Sequence, residues 1–90
     1  MSEYTYKPSF FANGSIRSEQ WFKDGKLHRE GDKPALISYH RNGSIESEYW
    51  YKEGAMHREG DKPAVIEHRE DGSIWVEYWY KDGVEYEYTP

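Results

Sequence analysis

His28 and His57 are the side chains best suited to chemistry, and each is followed at once by Arg and four positions on by Asp, as His28-Arg29…Asp32 and His57-Arg58…Asp61. As metal ligands they are too few: each copy offers one imidazole and one carboxylate, with no Cys and no His-x-x-x-His spacing in support. No metal and no other cofactor is expected. As an anion site, His28, Arg29 and Lys33 with His57, Arg58 and Lys62 supply the cations for a nucleotide or another anion. As a structural tie, Arg29 with Asp32 and Arg58 with Asp61 would fasten the Gly-Asp-Lys-Pro connection through charge-assisted hydrogen bonds. Duplication favours the tie, because a small chain rarely needs one site twice.

A second constellation is Glu48, Trp50 and Lys52, with Glu19, Trp21, Lys23 and Glu77, Trp79, Lys81 at matching places. An indole between charges of both signs suits either packing between neighbouring strands or recognition of a partner. Strict alternation puts Trp75 on the same strand face as Trp79. The candidate protein-binding set is therefore Trp50, Trp75 and Trp79, rimmed by Glu77, Glu85 and Glu87. Catalysis finds no support. There is no Cys nucleophile and no Gly-x-Ser-x-Gly elbow, and the Gly-Ser-Ile serines sit beside turn glycines. The chain is expected not to be an enzyme.

These residues recur because the chain does. Gly14, Gly43 and Gly72 each open a Gly-Ser-Ile triplet at a period of 29, and residues 14–42 match 43–71 at 17 of 29 positions. A fixed period of this size signals units that cannot bury an apolar face alone and stack on their neighbours. The reading is one repeat domain over 1–90: an N-terminal cap strand (1–13), units at 14–42 and 43–71, and a partial third unit with a C-terminal cap (72–90).

Composition bounds the partners. Of the 36% apolar residues half are aromatic, which suits a thin sheet whose side chains stay partly wet. The net charge of −5 lies wholly in residues 67–90, where seven acids meet only Arg69 and Lys81. No basic groove for nucleic acid exists, so direct nucleic-acid binding is not expected, whereas an acidic end steers towards a basic partner. Without an apolar stretch of spanning length, no membrane association and a cytoplasmic location are expected.

Gly, Asn, Asp and Pro interrupt runs rich in Tyr, Trp, Ile and Val about every ten residues, which reads as all-β. In the middle unit, residues 35–41, 44–52 and 55–58 are the strands. Asn42-Gly43 joins the first two, a strong hairpin signal because both residues accept positive φ. A three-residue loop with Gly43 in a left-handed bulge is favoured there, because it places Ala35, Ile37 and Tyr39 beside Ile45 and Tyr49. At the second turn a two-residue loop pairs Phe22 with Leu27 and Tyr51 with Met56, yet the last unit prefers three. Successive hairpins give an antiparallel meander, single-layered or a small open sheet, with cap strands at both ends. Its open edges lead us to expect a homodimer.

The string Trp50 to Ala64, of the form Trp-Tyr-x-x-Gly-x-x-His-Arg followed by Pro-Ala, resembles the variant MORN repeats of antitoxin-like bacterial, phage and giant-virus proteins. The resemblance spans residues 14–83. It departs where Asp-Lys precedes Pro, and it lacks the second glycine pattern of ordinary MORN repeats with their phospholipid and scaffold roles. It implies a hairpin-repeat β-sheet used for binding, often to neutralise a toxin or in phage–host conflict, and no catalytic residues. The expected function is thus a non-enzymatic protein-binding module, an antitoxin-like or phage counter-defence inhibitor. A small-ligand (nucleotide or other anion) sequestering protein and a purely structural module are the alternatives.

Overall fold

Left-handed backbone at the turns sets the fold. The computed structural model describes all 90 residues and contains strands and no helix. These are β1 (Tyr4–Phe10), β2 (Ile16–Lys23), β3 (Lys26–Leu27), β4 (Leu36–Tyr39), β5 (Ile45–Tyr49), β6 (Tyr51–Lys52), β7 (Ala55–Met56), β8 (Val65–His68), β9 (Ile74–Lys81) and β10 (Val84–Tyr86). An open antiparallel sheet runs in the order β1-β2-β4-β5-β8-β9-β10, with β3 also on β2, while β6 and β7 form a separate small hairpin. The molecule measures 40 × 38 × 18 Å. Sandwiched sheets lie about 10 Å apart before their outer side chains are counted, so 18 Å leaves room for a single layer.

The Asn42-Gly43 loop has three residues and a left-handed Gly43 (φ +91°), with the Gly43 N–H bonded to the His40 carbonyl and the His40 N–H to that of Ser44. The expected register fails here. Asn42 is not left-handed; its carboxamide oxygen accepts the Ser44 N–H and hydroxyl, as Asn13 and Asp71 do for Ser15 and Ser73. A second bulge then resets the register. Tyr39 pairs with Ile45 but Ser38 with Ser47, so Glu46 has no partner, and Leu36 rather than Ile37 faces Tyr49. Arg17 and Trp75 are skipped in the same way on β2 and β9. A lone sheet has no single inside, so gathering every apolar side chain on one face gains nothing. Ile37 and Val65, on opposite faces, are both buried.

The second turn is a two-residue loop in every unit, the last included, where Lys81 pairs with Val84. Asp24-Gly25, Glu53-Gly54 and Asp82-Gly83 all have positive φ at both positions, the type I′ geometry that matches strand twist. The three-residue loop expected at Asp82-Gly83 is therefore corrected: tight-turn geometry outweighs the apolar pairing that a longer loop would give.

Glu53 is the least suited of these turn residues, since a side chain in the left-handed region costs about 1–2 kcal/mol and Asn tolerates it best. Glu53→Asn is expected to stabilise the protein by about 0.5–1 kcal/mol. Urea denaturation should show a raised midpoint at an unchanged slope; a lowered midpoint would mean that the Glu53 carboxylate contributes something the backbone does not.

Candidate functional site

The two histidines join one unit to the next. His28 is 6% exposed, and its Nδ1 lies 3.0 Å from the Glu53 N–H at the tip of the following hairpin. His57 stands in the same relation to Asp82, also at 3.0 Å. A backbone N–H only donates, so Nδ1 is the acceptor and the ring proton sits on Nε2, which donates to Glu30 from His28 and to Glu59 from His57. Beside each imidazole the next turn glycine adds a bond, from the Gly54 N–H to the Leu27 carbonyl (2.9 Å) and from the Gly83 N–H to that of Met56 (2.8 Å). The Asp82 carboxylate also approaches His57 Nδ1, at 3.4 Å, beyond the length of the backbone bond.

Neither arginine pairs as expected, and Arg58 binds across units. Arg58 holds Asp32 of the preceding unit (Nε–Oδ1 2.9 Å) rather than Asp61, and Lys62 reaches the same carboxylate at 3.0 Å. Arg29 has no carboxylate partner and donates to the Pro34 carbonyl at 3.2 Å, as Arg58 does to that of Pro63 at 3.0 Å. Each guanidinium lies on an indole, Arg29 on Trp21 at 3.6 Å and Arg58 on Trp50 at 3.8 Å. Such contacts contribute about 0.5–2 kcal/mol, more as water is excluded. Trp50 is only 6% exposed and leaves the candidate recognition surface.

His28, Arg29, His57 and Arg58 line a groove of about 210 Å³ that also contains Glu30, Asp32 and Glu59. Lys33 and Lys62 lie outside its lining. Three carboxylates and cations already engaged make poor ground for an anion. No three metal-ligating side chains converge anywhere in the structure.

The other candidates part company. Trp79, Glu77, Glu85 and Glu87 come together with Tyr78, Tyr86 and Tyr88 around an open groove of about 510 Å³ at the β9–β10 end of the sheet. Tyr88 stacks on Trp79 (ring centroids 5.1 Å apart, planes within 8°), filling the place that arginine takes over Trp21 and Trp50. Trp79 Nε1 donates to the Asp61 carbonyl at 3.1 Å and the Tyr86 hydroxyl reaches Asp61 Oδ1 at 3.4 Å. Burial, with the nearby Asp61 carboxylate, raises the Tyr86 pKa above the ordinary phenol value. Trp75 does not join them. The bulge re-aims it, 63% exposed, over a separate groove with His40, Glu46, Tyr49 and His68. The three tyrosines are site residues that sequence reasoning missed. The signal for Tyr86 and Tyr88 was the break from His-Arg-Glu-Gly to Tyr86-Glu87-Tyr88. No protein-family model, curated protein or solved structure matches the chain.

The histidine joints give a first test. His57→Ala is expected to cost about 2–4 kcal/mol, through lost packing and an orphaned N–H. In His57→Asn the side-chain oxygen replaces Nδ1 and recovers part of that loss, whereas His57→Leu does not. Equal denaturation midpoints for Asn and Leu would show that packing alone matters.

Acid gives a second. Four carboxyls are held below their ordinary range: Asp32 by the hydrogen bond from Arg58, Glu30 by His28, Glu59 by His57 and Asp71 by Ser73. The unfolded chain therefore binds more protons between each folded value and the ordinary one, and stability rises with pH through that window. Their contribution is complete above the ordinary values of 4.5 for Glu and 3.8 for Asp, and is lost as pH falls through the folded values. Denaturation from about pH 5 down to about pH 2 should show this slope, and Asp32→Asn should flatten it. An unchanged slope in the variant would remove Asp32 from the account.

Proposed function

We propose that this open sheet is a module of three tandem hairpin units between cap strands, and that it works without catalysis by binding another protein through its acidic end. The observation that carries this is the β9–β10 groove, which Glu77, Glu85 and Glu87 line together with Trp79, Tyr78, Tyr86 and Tyr88. Rigid aromatics supply contact area at little entropic cost, while the carboxylates select Lys and Arg on the partner and steer its approach. The chain's negative excess lies in residues 67–90, the end of the chain to which this groove belongs. A small inhibitor that neutralises a basic protein by direct binding, as the resemblance to antitoxin-like repeats implies, fits this surface.

The test compares the native protein with Glu77→Lys/Glu85→Lys/Glu87→Lys as baits in a bacterial lysate. The native bait should retain a basic protein that the triple variant loses while its circular dichroism is unchanged. Added salt should slow association more than it speeds dissociation. Identical proteins on both baits would end this reading.

A further inference from the structure

The groove is also a missing strand. On β2 one edge pairs with β3 at Phe22–Lys23 and with β4 at Ser18–Gln20. In the next unit β5 pairs with β8 at Ser47–Tyr49. On β9, β10 pairs only with Trp79–Lys81, and the corresponding stretch Val76–Tyr78 has no strand beside it on the edge away from β8. The Ala64 N–H bonds the Tyr78 carbonyl, so Tyr78 faces β8, and alternation turns the N–H and carbonyl of Glu77 to the open edge.

Side chains point the same way. Glu19 accepts the Tyr39 hydroxyl from the strand that follows, as well as that of Tyr6 (2.6 Å). Glu48 accepts His68 Nε2 at 2.9 Å, again from the following strand. Glu77 occupies the same place in the third unit, exposed and without a donor. Ile74 (49%), Trp75 (63%) and Tyr78 (40%) are exposed along this stretch, whereas Ile16, Arg17 and Gln20 or Ile45, Glu46 and Tyr49 leave only Arg17 and Glu46 exposed.

We infer that the Val76–Tyr78 edge of β9 is a strand-docking site, which takes an extended basic segment of a partner protein in the place that β4 and β8 fill in the earlier units. This rests on the reading of the groove as a protein-binding surface and adds its mode and its specificity. The earlier units supply the template. Ala35 and Ala64 are fully buried, Ile37 and Ile66 pair with Glu19 and Glu48, and Tyr39 and His68 donate to those carboxylates. The docking segment accordingly carries a small residue, an aliphatic residue two positions on and a hydrogen-bond donor two further on, and Glu85 and Glu87 favour cations around it. A second copy of this chain is a poor occupant. Its β4 and β8 are paired on both edges. Its open β9 and β10 edges carry the same carboxylates, Glu77, Glu85 and Glu87, and would meet them with like charge. Its β1 edge is interrupted. The Asp24 N–H bonds the Glu3 carbonyl, so alternation places Pro8, which has no N–H, at an outward position of β1.

The probe is a synthetic peptide with the sequence of Lys33–Arg41, which fits the template and carries Lys33 and Arg41 without an acid. Titration calorimetry is expected to show binding. N-methylation at the Ile37 position of the peptide, or Glu77→Pro in the protein, should weaken it at least about tenfold more than Glu77→Gln does. The peptide variant keeps the test valid should Glu77→Pro fold poorly. Equal binding of a scrambled peptide would overturn strand docking and leave the acidic groove as a charge-reading surface. No binding at about millimolar peptide would also overturn it, with the lysate comparison still deciding the broader reading. A dimer in light scattering that Glu77→Pro dissolves would name a second copy as the occupant and overturn the inference.

Discussion

One hydrogen bond organises this protein: a backbone N–H at a hairpin tip donated to the Nδ1 of a buried imidazole one unit earlier. A single layer 18 Å thick has no second sheet to press on, so lateral joints must do what a core does elsewhere. Only Ala35, Ile37, Trp50, Ala64 and Val65 are buried apolar residues, and His28, Ser47 and His57 are buried beside them. The imidazole suits the joint because its two nitrogens act differently. One accepts from the next unit, and the other donates to the unit's own glutamate. At Glu53-Gly54 and Asp82-Gly83 the left-handed type I′ turn presents its N–H to the imidazole, while the same geometry at Asp24-Gly25 places the Asp24 N–H on the Glu3 carbonyl.

From that joint the cross-unit contacts follow. Once the hairpin tip is pinned, Arg58 lies over Trp50 and within reach of Asp32, so one side chain packs, caps a carbonyl and clasps the neighbouring loop. This explains why His, Arg and Asp repeat together. They are spaced to meet the next copy of the unit, not one another.

Each unit leaves bonds for its successor, and the last has none within residues 1–90. Tyr88 replaces the arginine over Trp79, and Tyr86 takes over the contact with Asp61. These substitutions close the face of the sheet beside β10 but not the edge of β9. Glu77 keeps the geometry of Glu19 and Glu48 without a donor, so the end of the stack becomes a surface with chemistry of its own. At the other end Pro8 serves as edge protection. The two ends differ by a missing N–H on one side and a missing strand on the other.

The sequence by itself determined the strand class, the period of 29 and the turn positions, because these depend on local backbone preference and on alternation within a few residues. It also showed that the acidic excess gathers with Trp79, Glu77, Glu85 and Glu87. Only the tertiary structure decided the rest. That Arg58 binds Asp32 rather than Asp61 depends on how far one unit is offset from the next, which no local pattern encodes. That Trp50 is buried while Trp75 stands out depends on which neighbours cover the first and on a bulge beside the second. A bulge breaks the two-residue period on which the sequence argument relied, and in a sheet without a single inside no apolar stripe reveals it in advance.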